Sequence, residues 1–178
     1  MHVECDLVEV KMTTGAKIYF LSLYVLKTKY NIYVRLRNKT ADHVTSEIIK
    51  ALARKPKKHG LKAAELFKSL TFDNGSEFNR YQEIENALQI PVYFCRVGRP
   101  EERAKQENSH RIFCRYFFSK KKKTNKYIPF GIGYKISRYI ARIARKSLDY
   151  ITPCGISTKC GNDKTEIIID FFKCNMDF

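Results

Sequence analysis

Three carboxylates in this chain carry the spacing and setting that metal-assisted phosphodiester chemistry needs. Asp6 falls in the middle of an apolar run, between Cys5 and Leu7. A carboxylate there is costly unless it is paired or bound to a cation. Asp73 closes the run Leu70-Thr71-Phe72 and opens an Asn74-Gly75 turn. Strand ends of this kind are where α/β sheets place their ligands. Glu107 follows after a gap of 33 residues, inside a helical pattern. Hard divalent cations take oxygen ligands, and Asp and Glu supply them together with neutralising charge. Two such ions about 3.5–4 Å apart clamp the attacking and leaving oxygens of an in-line displacement at phosphorus. Each acid also has a plain structural explanation. Asp6 can pair with a buried base, Asp73 can simply cap a turn, and Glu107 can be an exposed helical acid.

The elements that must position these residues follow from periodicity. Val3 to Val10 reads as a strand, and Lys17 to Leu26, apolar on both faces, as a buried central strand. Asn31 to Arg37 alternates, with Ile32, Val34 and Leu36 inward and Tyr33, Arg35 and Arg37 on a wet face. Short turns make these three an antiparallel meander. Thr40 is placed to cap a helix from Ala41 to about Arg54, which the basic stretch Lys55 to Gly60 is expected to end. Leu70 to Asp73 is a short strand, Phe78, Tyr81, Ile84 and Leu88 mark an amphipathic helix, and Pro91 to Cys95 is a strand. A helix then fits Glu101 to Phe117, with Glu101 and Glu102 at its positive end. This order predicts an α/β fold with a mixed sheet.

Composition bounds the partners. The 178 residues include 34 Lys and Arg against 18 Asp and Glu, a formal charge of +16. Such a surplus favours a polyanion, nucleic acid before an anionic membrane. The charge concentrates in residues 119 to 158, which hold ten Lys or Arg and one acid, Asp149. Lys120, Lys121, Lys122 and Lys123 read as an exposed loop, and Tyr134 to Leu148 as a basic helix carrying Arg138, Arg142, Arg145 and Lys146. These are candidate phosphate contacts, or else a solvated charged face. Arg111, one turn beyond Glu107, either grips a phosphate or pairs with Glu107. Asn74 and Glu77 are placed to orient the site or to touch DNA, and Glu77 equally to cap the turn or face solvent. The six cysteines form no C-x-x-C pair and read as reduced thiols of a cytoplasmic protein. No early apolar run marks a signal peptide and no stretch approaches a membrane span. The divisions expected are a core over 1–118, a basic and partly helical extension over 119–158, and a divergent tail over 159–178 with a strand at Ile167 to Ile169.

Several blocks carry a family resemblance. Glu4-Cys5-Asp6-Leu7-Val8, the run Leu70 to Phe78 with Phe72-Asp73-Asn74-Gly75-Ser76-Glu77-Phe78 at its centre, Val92-Tyr93-Phe94-Cys95, Arg103, Glu107-Asn108 and Tyr116-Phe117 resemble insertion-sequence transposases of the IS-thirty type. That type sits within the wider class of DDE transposases and retroviral-type integrases. The 33-residue gap between second and third acids is typical of it. The resemblance implies a ribonuclease-H-like core with a mixed five-stranded sheet flanked by helices, and Asp6, Asp73 and Glu107 as ligands of two Mg²⁺ or Mn²⁺ ions. It implies nicking at element ends followed by attack of the freed 3′-hydroxyl on target DNA. Arg103 joins the expected DNA contacts. The partners implied are element-end and target DNA and further copies of the chain, at the bacterial nucleoid.

Departures cluster around the third acid. Glu101 replaces a Trp, Ala104 a Gly, Lys105-Gln106 a Thr-Asn pair, Ser109-His110-Arg111 a Thr-Asn-Gly, and Cys114 an Arg; Ala141 to Ala144 replaces an Asn-Asn-Arg-Pro segment. The helix-turn-helix expected to read element ends is not in the chain. These changes imply a truncated copy that has drifted, and a second reading as a DNA-binding remnant without enzymatic activity. A ribonuclease-H-like nuclease that does not join strands is a third.

Overall fold

The computed structural model describes residues 1–12, 14–58, 60–96, 104–117 and 128–155, with side chains described throughout except at 55, 58, 104–107, 116 and 117. Strands β1 (His2–Lys11), β2 (Lys17–Val25) and β3 (Tyr30–Leu36) form an antiparallel meander. Helix α1 (Ala41–Lys58) and the short α2 (Ala63–Leu66) lead to β4 (Ser69–Phe72), which lies parallel to β1. Helix α3 (Tyr81–Leu88) returns to β5 (Val92–Phe94), parallel to β4. Helices α4 (Ala104–Phe117) and α5 (Ile132–Ile140) follow. The sheet is five-stranded and mixed, in the order β3-β2-β1-β4-β5. β2, between β3 and β1, is the strand that is apolar on both faces, because both of its faces are covered.

Strand alternation divides the core. Val3 and Cys5 of β1, Leu21, Leu23 and Val25 of β2, and Ile32, Val34 and Leu36 of β3 pack with Val44, Ile48 and Leu52 of α1 and Ile84 and Leu88 of α3. The other face presents Val8, Val10, Phe20 and Tyr33 to Phe113 of α4 and Ile136 and Ile140 of α5. Tyr33 is therefore fully buried, a correction to its assignment to a wet face. Its ring lies 4.4 Å from that of Phe113. A helix over the meander covers it, which β3's local alternation does not reveal.

α5 lies along the β3 edge because of two small residues. A Cβ on Gly133 would stand 2.2 Å from the Tyr33 carbonyl oxygen, so only glycine allows the approach. Ser137 Oγ accepts the Tyr33 N–H at 2.8 Å and donates to the Gly133 carbonyl at 2.9 Å. The edge strand's open donor is thereby satisfied.

Two expected helix boundaries need correction. α1 does not stop at Arg54; it runs to Lys58 with Pro56 inside its last turn. Gly60, at φ +70°, donates to the Lys57 carbonyl and Leu61 to that of Pro56, a Schellman closure that fits after the proline. The basic helix does not reach Leu148. The Ala141 carbonyl, which would accept the Arg145 N–H, accepts that of Cys154 instead, and Arg145 donates to Ile151. Only a short 3₁₀ turn, Lys146–Leu148, follows. Thr40 gives its carbonyl to the first helical bond, but its hydroxyl turns back to Asn38 Oδ1 at 2.8 Å. Lys120 to Lys123, Arg103 and the strand expected at Ile167 to Ile169 lie outside the described residues.

Candidate active site

Parallel pairing of β1 with β4 joins His2 to Ser69, Val3 to Leu70 and Glu4 to Thr71, an offset of 67 residues. The same offset sets Asp6 level with Asp73, one residue past the end of β4. Both belong to the alternation of His2 and Ser69, whose side chains meet across the strands at 2.6 Å. The two acids thus rise from neighbouring strands on the α4 side of the sheet. Strands in a sheet lie about 4.8 Å apart. Buried Cys5 registers both charges. Burial pushes its thiol well up, and the negative charges of Asp6, Glu4 and Asp73 push it further.

Local backbone holds each carboxylate. Asp6 Oδ1 accepts the Leu7 N–H at 2.8 Å, and the side chain is 14% exposed. Asp73 Oδ1 accepts the Gly75 N–H at 3.2 Å, the turn that its Asp-Asn-Gly sequence favours. Asn74 is committed elsewhere: its amide donates to the Cys95 carbonyl at 2.9 Å and ties the loop after β4 to the end of β5. Gly75 leaves room for Glu77, whose carboxyl carbon a Cβ there would meet at 2.7 Å.

α4 crosses over this face. His110 Nδ1 stands 3.7 Å from Asp6 Oδ2, with the His110 side chain 17% exposed. Glu107 precedes His110 by one helical turn; its side chain lies outside the described residues. Arg111 is exposed and donates to Asn108 Oδ1 at 2.9 Å. Among the described residues no three His, Cys, Asp or Glu side chains stand together as a metal site. What the described part provides is two oxygen donors in register beneath a helix that carries a third acid. That donor set suits a hard divalent cation.

A buried polar network fixes α4 on the sheet. Ser22 Oγ donates to Asn31 Oδ1 at 3.0 Å, and Asn31 Nδ2 donates to Tyr33 Oη and Ser109 Oγ, both at 3.0 Å. Tyr33 Oη donates to the Ser109 carbonyl at 3.3 Å. Ser22 pairs with Asp6 across β1 and β2, so the network stands directly beside the acid. Sequence reasoning missed Ser22, Asn31, Ser109 and His110. The available signal was two buried polar residues, Ser22 and Asn31, in otherwise apolar strands.

The basic residues separate. Arg145 and Lys146 line a cleft of about 500 Å³ together with Tyr24, Lys29 and Asn108, and so come beside α4 next to position 107. Burial raises the Tyr24 and Tyr33 hydroxyls, and the Arg145 charge opposes this at both. Arg142 is exposed beyond α5 and does not join that cleft.

Known proteins resemble this chain in sequence and in fold. The chain is 31% identical over 153 residues to the transposase InsI of insertion sequence element IS30A of Escherichia coli, covering 85% of this chain and 36% of that protein. It is 34% identical over 95 residues to the transposase of insertion sequence element IS4351 of Bacteroides fragilis, covering 52% and 28%. The chain therefore spans about a third of the length of these transposases. Among solved structures, it superposes on a chain of the simian T-cell lymphotropic virus intasome in complex with PP2A regulatory subunit B56 gamma, with a TM-score of 0.67 at 14% identity, over 85% of this chain and 52% of that one. The magnesium complex of the HTLV-2 integrase catalytic core matches with a TM-score of 0.61 at 13% identity, over 85% and 92%. These likenesses establish the ribonuclease-H-like fold. The integrase core domain family matches residues 1–100, more than half of the chain, and the chain belongs to that family.

Proposed function

We propose that this chain is the catalytic core of a DNA transposase, with Asp6, Asp73 and Glu107 as its acidic triad. The observation that carries this reading is the register that sets Asp6 level with Asp73 beneath α4. Asp6 and Asp73 would hold two Mg²⁺ or Mn²⁺ ions with Glu107; when bound, these supply Lewis-acid charge at the attacking and leaving oxygens. The two strand acids provide a fixed base because sheet pairing and local N–H bonds set their positions. The Ser22–Asn31–Ser109 network holds α4, and with it Glu107, at constant register over that base.

The chemistry needs no redox partner. In cleavage, a water oxygen bonds to phosphorus, the bond from phosphorus to the 3′ oxygen breaks, and a 3′-hydroxyl and a 5′-phosphate result. In joining, that 3′-hydroxyl oxygen bonds to a target phosphorus and the target's own 3′ oxygen leaves, the proton passing from attacking to leaving group. Arg145 and Lys146 border the cleft beside α4 and would hold the phosphate backbone near the reacting bond. Arg103, Arg111, Arg142 and Lys120 to Lys123 are further candidates for phosphate contact by their charge alone, and Asn74 braces the loop behind Asp73. The active form is an oligomer of this chain on element-end and target DNA. A strand-joining assay tests this reading. Given a pre-cut 3′-end and target DNA with Mn²⁺, a transposase core yields branched products. Nicking without any joined product would instead mark a nuclease on the same fold.

A further inference from the structure

A second basic surface lies away from the acids. A pocket of about 720 Å³ opens between β3, α1 and α5. β3 contributes Arg35 and Arg37, α1 contributes Lys50 and Arg54, and α5 contributes Lys135 and Arg138. Among the described residues, six cationic side chains thus line the pocket with one carboxylate, Glu47, which bonds Lys50 at 2.9 Å. Half-exposed Phe130 organises the β3 pair: its ring centroid lies 4.3 Å from the Arg35 guanidinium carbon and 5.7 Å from that of Arg37. Arg35 also donates to the Ile128 carbonyl. Three separate elements converge their charge on one concavity.

Edge protection does not account for this convergence. α5 already covers β3 through Gly133 and Ser137. Symmetric self-association does not account for it either, since a two-fold axis through the pocket would face six cations with six more. The pocket is also remote from the acids in the topology. β3 is an edge strand two places from β1, and α1 packs on the sheet face opposite α4. The pocket therefore wraps the β3 edge, two strands from Asp6, with α1 across the sheet from the acids and α5 on their own face.

We propose that this pocket is a second DNA-binding surface, gripping the phosphate backbone of a segment other than the one cut at the acids. Recognition is by charge, so the contact carries affinity and little sequence preference. The inference does not require the catalytic reading, because binding is measured without metal.

The test is duplex-DNA affinity of the full chain in EDTA, read by fluorescence anisotropy across a salt series. The pocket variant is Arg37→Gln with Lys50→Gln and Lys135→Gln. The control removes the same charge at Lys27, Lys62 and Lys68, all exposed and outside the pocket. The pocket variant is expected to bind about tenfold more weakly or worse, with the salt slope reduced by about 2–3. The control should keep the wild-type slope. A double variant, Arg37→Gln with Lys135→Gln, leaves the Lys50–Glu47 pair intact and should show about two-thirds of the slope change. Pocket variants that match the control overturn the proposal. So does loss of binding to anionic phospholipid vesicles with duplex affinity unchanged. Cleavage by the acid site is scored separately with Asp73→Asn, so either idea can fail alone.

Discussion

Asp6 stands level with Asp73 across the parallel β1–β4 pair, each carboxylate braced by a nearby backbone N–H. Like charges on adjacent strands cost stability unless a cation lies between them. Mn²⁺ should therefore raise the melting temperature of the wild-type chain, as any ligand of the folded state does. Asp73→Asn should melt higher than wild type in EDTA, by roughly 2–4 °C for each kcal/mol of repulsion relieved. It should also lose the Mn²⁺ response. Differential scanning fluorimetry with and without metal checks both; a wild-type chain indifferent to Mn²⁺ would count against the pair as ligands.

The Ser22–Asn31–Ser109 network sits under the helix that carries Glu107. Asn31→Leu leaves buried hydroxyls without their amide partner, at a cost of about 2–4 kcal/mol. Ser109→Ala removes fewer bonds and should cost about 1 kcal/mol. Urea unfolding gives these values. If the network positions the third acid, cleavage by folded Ser109→Ala falls through kcat while KM for DNA holds.

Gly133 lets α5 close on β3. Gly133→Ala forces a Cβ against the Tyr33 carbonyl and should destabilise by about 1–3 kcal/mol. The Tyr33 N–H to Ser137 bond opens with it, so hydrogen exchange at Tyr33 should accelerate.

Burial raises the Cys5 thiol and the Tyr30 and Tyr33 hydroxyls. In the unfolded chain these groups ionise near their ordinary values, about 8.5 for Cys and 10 for Tyr. Their neutral burial thus contributes fully below about pH 8 and is lost as pH rises past those values. Urea midpoints should hold from pH 6 to 8 and fall above about pH 9. Cys5→Ala should delay the first part of that fall.

How far the sequence disclosed this depended on the range of each interaction. Strand alternation exposed the β1–β3 meander, and the Phe72-Asp73-Asn74 step marked a strand end, because such signals are local. Tyr33 misled because the cover over its face comes from Phe113 and α5, distant in sequence. The basic helix ended early because Cys154 took the Ala141 carbonyl, another distant partner. At the site, periodicity placed Asp6 and Asp73 on strands, but their shared level follows from the β1–β4 register, which no local pattern encodes. The His110 approach to Asp6 is of the same kind.

On the reading proposed above, Asp6 of β1, Asp73 just past β4 and Glu107 of α4 form one metal-dependent site. Mn²⁺-dependent nicking of duplex DNA by the purified chain, beside Asp73→Asn, tests it most directly. Cleavage by the wild type is expected, lost in EDTA and reduced by about a hundred- to a thousandfold in the variant, the scale on which removing a charge-stabilising group acts. Cleavage that persists in Asp73→Asn, or a wild-type chain that binds DNA and never nicks it with Mn²⁺, would contradict it.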